Sequence, residues 1–154
     1  MSGNAASGEI NRIVRRARER DARSIKRLID LYVPNGTLLP RTAEFIELYS
    51  HEFIVEVAGD EVIGCVHLDE YAPSLAELRS LAVDPDWQGK GVGKNLVAAT
   101  EKLATARGYS TLFAVSNDEA FFTRFGFEKR HIPELDLERS EVSRFKGVYA
   151  KDLR

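Results

Sequence analysis

A single cysteine, Cys65, leaves the chain unable to close an internal disulfide. No apolar run approaches the roughly 20 residues that cross a bilayer, and the start, Met1 to Gly8, lacks the apolar stretch of a secretion signal. These absences set the expectation of a cytoplasmic protein without membrane association. Charge of one sign is not in excess either, since 22 basic against 24 acidic side chains leave −2 at pH 7. A general nucleic-acid binder is strongly basic, so no nucleic-acid partner is expected. The three histidines, His51, His67 and His131, have no cysteine or second histidine at ligand spacing, and no metal site is expected. Nor is there a Gly-x-Ser-x-Gly elbow for a serine hydrolase.

What the chain does have is 154 residues, 44% of them hydrophobic. A chain near this size buries roughly 68–70% of the surface its unfolded form exposes, enough for a core without staples. Residues 1–11 are small and polar and read as a flexible tail; residues 12–154 read as one domain. The arginine-rich stretch from Ile13 to Arg27 is interrupted by Glu19 and Asp21. It reads as a strand, Ile13 to Ala17, then a helix capped by Asp21 and running to about Tyr32. Ile13, Val14, Ile25, Leu28 and Ile29 supply its core face. Pro34-Asn35-Gly36 stops the helix, and Thr42 to Tyr49 is a second one burying Phe45, Ile46 and Leu48 or Tyr49.

The period then changes. Phe53–Ala58 and Glu61–Leu68 are strands joined by the turn Gly59-Asp60, and Leu75–Val83 is a third, cut off by Asp84-Pro85. From Lys90 to Arg107, Val92, Leu96, Ala99, Leu103 and Ala106 form one helical stripe, ended by Gly108. Thr111–Val115 is a buried strand, Asp118–Phe125 a short helix, and strands follow from Phe127 and from Phe145 to Ala150. The order predicts an α/β or α+β domain, a mixed central sheet of six to seven strands with about four helices.

The densest signal is Leu81-Ala82-Val83-Asp84-Pro85-Asp86-Trp87-Gln88-Gly89-Lys90-Gly91-Val92-Gly93-Lys94, a strand running into a glycine-rich turn that opens the longest helix. Three glycines at alternate positions let backbone N–H groups approach a ligand, and the helix N-terminus adds partial positive charge. This is a cradle for an anion such as a diphosphate. It is not a P-loop, because Gln88 stands where glycine is needed and Asn95 where Ser or Thr is needed. It is not the dinucleotide fingerprint, because Lys94 occupies the third glycine position.

Gln88-Gly89-Lys90-Gly91-Val92-Gly93 resembles the acetyl-CoA signature of the GNAT superfamily of N-acetyltransferases, with its usual preamble in Leu81-Ala82-Val83 and Pro85. The resemblance runs from Val14 through Asn117 and the segment Ala120 to Phe127. It implies that Leu81, Ala82 and Val83 bind the pantetheine arm as an added strand would. The backbone of Gln88, Gly89, Lys90, Gly91, Val92, Gly93 and Lys94 would hold the diphosphate, with Asn117 and Phe122 completing the acetyl-CoA site. The strands bearing Val83 and Ser116 would splay. Acetyl transfer needs a neutral amine and a base, and Glu77 stands where many members carry a glutamate base. Strict alternation puts Glu77 on the face of Arg79, Leu81 and Val83, and a bulge would change that parity. Phe122 replaces the family's tyrosine acid, so Ser116, water or an unassisted thiolate takes that part.

Within the superfamily, Phe121-Phe122, Gly36 to Arg41 and Val62 to Leu68 resemble the acetyltransferase domain of N-acetylglutamate synthases. That implies an amino-acid pocket lined by Leu39, Arg41 and Cys65, with Arg41 holding a carboxylate, Arg144 as a second arginine, and a place in arginine biosynthesis. Residue 146 is lysine where that family has serine. The reading is therefore an acetyl-CoA-dependent N-acetyltransferase for the α-amine of a small amino acid, glutamate first and glutamine second. Alternatives are another acceptor (polyamine, protein or antibiotic amine) or a non-catalytic acyl-CoA-binding module. A homodimer is left open.

Overall fold

The computed structural model describes residues 10–135 and 146–153. They divide into two compact units. One gathers the described residues up to His67 with Ser80–Ala99; the other gathers Leu68–Arg79 with the described residues from Thr100 onward. Seven strands form one sheet: β1 (Arg12–Arg16), β2 (Phe53–Ala58), β3 (Glu61–Ala72), β4 (Leu75–Val83), β5 (Thr111–Ser116), β6 (Glu128–Lys129) and β7 (Gly147–Asp152). Their order across the sheet is β1-β2-β3-β4-β5-β7-β6. The α-helices are α1 (Ala22–Asp30), α2 (Ala43–Leu48), α3 (Val92–Ala106) and α4 (Glu119–Arg124). The expected mixed α/β architecture is present, and among the described residues no helix is long and apolar enough to cross a membrane.

In the first unit, β1 and β2 are antiparallel from Arg12↔Ala58 to Arg16↔Ile54, and β2 and β3 from Phe53↔His67 to Ala58↔Glu61, with a bulge at Glu56/Val57. Gly59 takes φ +61 in the connecting turn, the conformation that favours glycine there. Ile25, Leu28 and Ile29 of α1, spaced for one helical face, are fully buried with Ile46 and Phe53. Ile13 and Val14 are not: they are 50% and 38% exposed. β1 is the edge of the sheet, so its apolar side chains lose the cover expected of them.

Asp21 stands at the start of α1 but its side chain does not cap it. The carboxylate instead takes the Arg15 guanidinium at 2.8 Å and the Arg18 N–H at 2.7 Å. Burial pushes that carboxyl's pKa up, yet the two donors outweigh it and hold it below the ordinary carboxylate value. Thr42 does cap α2, accepting the Phe45 N–H at 3.0 Å. Only Ile46 of α2 is fully buried, Leu48 is 69% exposed, and Tyr49 is exposed as well.

In the second unit, β5 and β7 are antiparallel from Thr111↔Asp152 to Ser116↔Gly147, and β6 adds two residues against Ala150 and Tyr149. Leu75, Phe113 and Ala150 pack with Ile132 and Leu135. β4 and β5 run parallel over Leu75↔Thr111, Ala76↔Leu112 and Glu77↔Phe113, and there the ladder ends, short of Val83 and of Ser116. Phe145, expected to open the last strand, and Arg144 lie outside the described residues.

The stripe expected along α3 needs correction. Val92, Leu96, Val97, Thr100 and Ala104 are the buried positions, whereas Ala106 is exposed. The real face drifts by one residue after Leu96 because a straight helix turns 3.6 residues per turn and Thr100 takes an inward position that hydrophobicity alone does not mark. Gly108, at φ +86, ends the helix as expected, its N–H bonded to the Thr105 carbonyl at 3.0 Å.

Candidate active site

β4 ends at Val83, and the Asp84 N–H closes that end onto β3 by donating to the Ile63 carbonyl at 2.8 Å. The Asp84 carboxylate accepts the Asp86 N–H at 2.9 Å, which caps a single tight turn over Pro85–Trp87. From Gln88 to Gly91 the chain is exposed. Gly89 at φ +76 and Gly91 at φ +86 flank Lys90, a backbone arrangement of the kind that forms anion-binding concavities. A Cβ at either glycine would meet no protein atom within 4 Å, so φ and not crowding demands glycine. α3 follows at once, and the first four N–H groups of a helix have no intrahelical acceptor.

An anion cradle also requires its carbonyls to point elsewhere. Arg12 Nη2 donates to the Lys90 carbonyl at 3.0 Å, and the same guanidinium lies 5.4 Å over the Trp87 ring. Arg12 Nε pairs at 2.7 Å with Glu56, a β2 carboxylate only 1% exposed, which also takes Asn95 Nδ2 at 3.1 Å. A buried carboxylate is tolerated when paired and hydrogen-bonded in this way. Glu56 thereby holds both the turn, through Arg12, and the start of α3, through Asn95.

Gly64 completes the seating. A Cβ there would fall 2.6 Å from Val92 and 2.9 Å from Leu96, so only glycine lets α3 approach β3 this closely. None of Arg12, Glu56, Asn95 or Gly64 was legible as a site residue, because each acts across more than thirty positions of sequence or, for Gly64, by the absence of a side chain. The one available hint is a glutamate inside an otherwise apolar strand, Phe53–Ala58.

The loop before α2 belongs to the same unit. Leu39 is 57% exposed. Arg41 is half-buried, its guanidinium 5.3 Å over the Phe45 ring and its Nη1 on the Pro40 carbonyl at 3.3 Å; Lys26 Nζ holds the Arg41 carbonyl at 3.2 Å. Phe45 meets His67 edge-on at 5.9 Å, and His67, 1% exposed, stacks flat on Phe53 at 4.3 Å with Nε2 2.9 Å from Glu52 Oε1. Cys65 is fully buried beside this stack's apolar cluster. Burial pushes its thiol up to about 12, so it is an inert neutral group and not a nucleophile.

In the other unit, Glu77 is 3% exposed on β4. Arg79 lies on the same strand with Nε 3.9 Å from Glu77 Oε1, and its Nη1 donates to Asp69 at 3.2 Å. Ser80, at φ +55, is the one described non-glycine residue in the left-handed region. It interrupts the extended run between Arg79 and Leu81, so the face of Leu81 and Val83 does not carry back to Glu77 by strict alternation.

Ser116 accepts the Asp118 N–H at 2.9 Å, and Asp118 in turn caps α4 by accepting the Phe121 N–H at 3.1 Å. Asn117 is exposed at the head of that turn. Phe122 is buried, its ring parallel to Tyr149 at a centroid distance of 6.2 Å. Burial first, then the acidic Glu119 and Asp118, hold the Tyr149 phenol above its ordinary pKa.

Residues 49–129 match the model of the acetyltransferase (GNAT) domain family. The chain is 36% identical over 124 residues to an uncharacterized N-acetyltransferase of Chlorobaculum tepidum, covering 79% of this chain and 80% of the relative. It is 31% identical over 117 residues to the amino-acid acetyltransferase of Mycobacterium tuberculosis, covering 75% of this chain and 67% of that protein. Among solved structures, one of a Mycobacterium tuberculosis protein in complex with CoA and NLQ superposes with TM-score 0.84 at 26% identity, covering 92% of this chain and 99% of that one. The N-acetylglutamate synthase of Neisseria gonorrhoeae, complexed with coenzyme A and N-acetyl-glutamate, superposes with TM-score 0.85 at 28% identity; the match covers 95% of this chain and 36% of that one.

Proposed function

The chain belongs to the GNAT acetyltransferase family and is an acyltransferase, and we propose that it moves the acetyl group of acetyl-CoA to the α-amine of a small amino acid, L-glutamate first. The observation that carries the reading is the turn Gln88–Lys94. Two left-handed glycines, a helix start and a Lys90 carbonyl drawn aside by Arg12 make a ready diphosphate cradle directly after β4. Acetyl-CoA supplies a thioester whose carbonyl carbon an uncharged amine attacks; the C–N bond forms, the C–S bond breaks and CoA leaves as thiolate.

The chain's own residues do the rest in this proposal. The backbone of Leu81, Ala82 and Val83, past the end of the β4–β5 ladder, receives the pantetheine arm. Glu77, buried beside Arg79, takes the proton that the amine must lose. Ser116 supplies the hydroxyl that returns a proton to the thiolate; its oxygen accepts the Asp118 N–H. Leu39, Arg41 and the strand around Cys65 line the acceptor site, and the Arg41 guanidinium binds the acceptor carboxylate, as Arg144 does from the second arginine position. Asn117 and Phe122 belong to the cofactor site. The names of relatives, two of them an amino-acid acetyltransferase and an N-acetylglutamate synthase, support an amino-acid acceptor; a role in arginine biosynthesis and a cytoplasmic location are parts of the same proposal. The single-domain organisation of residues 12–154 and a homodimer are parts of the same proposal.

A hydrogen bond to a charged group is worth about 1.5–3 kcal/mol. Arg41→Ala is therefore expected to raise KM for glutamate by roughly ten- to 150-fold while leaving acetyl-CoA affinity alone. Arg41→Lys restores it in part, since a point charge cannot make a two-pronged contact. Kinetics with glutamate, glutamine and a carboxylate-free amine decide: equal losses on all three, or none, remove the carboxylate clamp and the reason for naming glutamate.

A further inference from the structure

The end of α1 touches both halves of the proposed site through one residue that neither sequence pattern nor the chemistry above assigns. Tyr32 follows the α1 C-cap and is half-buried against the core cluster of its unit. Its phenol donates to the Val83 carbonyl, at the strand end where the pantetheine arm is placed, and accepts from Gln88 Nε2 at 2.7 Å, at the head of the diphosphate turn. Its main-chain carbonyl accepts the Leu38 N–H at 3.0 Å, one residue before Leu39 in the loop that leads to Arg41. Two neighbours on the same helix make parallel connections: Lys26 Nζ holds the Arg41 carbonyl at 3.2 Å, and Arg27 Nη1 lies 4.0 Å from Asp84.

We propose that Tyr32 is a positioning residue that couples the acetyl-CoA site to the acceptor loop, its phenol fixed by Val83 and Gln88 and its carbonyl holding Leu38. A ligand resting on Val83 and the Gln88 turn restrains both partners of the phenol. The restraint passes through a single rigid ring to the α1 end, and from there to the loop 33–41. The Val83 contact is to the backbone, and the Gln88 contact is to an exposed side-chain amide. By linkage the effect is reciprocal: an acceptor bound at the loop tightens the cofactor site by the same factor that the cofactor tightens the loop. Desolvation raises the phenol's pKa above its ordinary value, so it stays protonated and able to donate through the neutral pH range.

The inference rests on the acetyl-CoA reading, so its test separates the two. Calorimetry with CoA on the wild-type protein examines the cofactor site alone; no binding there ends both proposals. With CoA binding established, amide hydrogen exchange across residues 36–41 is measured with and without saturating CoA, in wild type and in Tyr32→Phe. The variant keeps the ring, its packing and the carbonyl that holds Leu38, and removes only the hydroxyl. In wild type, CoA is expected to slow exchange of these amides at least fivefold. In Tyr32→Phe, CoA still binds, within a few-fold of wild type, but the slowing disappears. Equal slowing in both proteins, or none in wild type although CoA binds, overturns the coupling while leaving the acetyl-CoA site intact. Acceptor KM gives a second readout: a rise in Tyr32→Phe with kcat at saturation unchanged agrees with a positioning role, and a fall in kcat at saturation with KM unchanged contradicts it.

Discussion

Gly91 lies in the exposed turn that leads into α3. Its φ of +86 is disfavoured for any L side chain, and the space where a Cβ would go is open. An alanine there meets no protein atom, so the protein loses only the conformational strain, of order 1–2 kcal/mol. A valine adds bulk on the side from which a diphosphate would approach. Gly91→Val is expected to weaken acetyl-CoA binding at least tenfold beyond Gly91→Ala, with both variants folded; calorimetry and thermal unfolding read the two effects separately. Affinity equal in both variants would mean that the glycine serves the turn alone.

Glu77 lies at the same scale. Conversion to glutamine keeps its size and one acceptor but removes its basicity. Glu77→Gln is expected to leave acetyl-CoA affinity unchanged and to lower kcat by about 10²–10⁴, the usual contribution of a general base. An α-amine with pKa above 9 deprotonates unaided in alkali, so the deficit should shrink as pH rises; wild-type kcat at pH 7 would remove Glu77 from the mechanism. Burial of this glutamate was not legible in its neighbourhood, Ala76-Glu77-Leu78-Arg79, which reads equally well as a solvated strand. What buries it is tertiary: a core strand paired to Phe113, and Ser80 breaking the alternation.

Among the elements, those with strong local signals were legible to within a few residues. β4 has the expected bounds because Asp84-Pro85 cannot continue a ladder, and α3 ends before Gly108 for the reason given by its φ. Errors arose where an element's environment, not its own sequence, decides the outcome. β1 has a strand's composition, but only the sheet order makes it an edge and exposes Ile13. Asp21 is a good helix cap by type, yet Arg15 competes for its carboxylate and wins. The network joining β1, β2 and α3 through Arg12, Glu56 and Asn95 is invisible to any local window. It makes a test at this scale. Arg12→Gln releases the Lys90 carbonyl without touching the cradle's N–H groups, and is expected to weaken acetyl-CoA binding about tenfold, one charge-assisted hydrogen bond's worth, with kcat at saturation unchanged. A lowered kcat with unaltered affinity would contradict the role assigned to this network.

For the whole molecule, composition was informative mainly by exclusion, while one motif in its context carried the family. That motif fixes a cofactor because a diphosphate cradle is backbone geometry, and backbone geometry is written in glycines. In the proposed function the acceptor is written in a few side chains on a loop, Leu39 and Arg41 among them, where a single guanidinium must stand for a substrate. The proposed reaction is acetyl transfer to an amino acid, and thiol release from acetyl-CoA follows it directly. The purified protein should be assayed at pH 7 to 9 against each of the twenty amino acids and against polyamine and aminoglycoside amines. CoA release is expected with glutamate foremost, glutamine next, and little with the carboxylate-free amines. Turnover only on polycationic amines, or tight CoA binding without turnover on any amine, would contradict it.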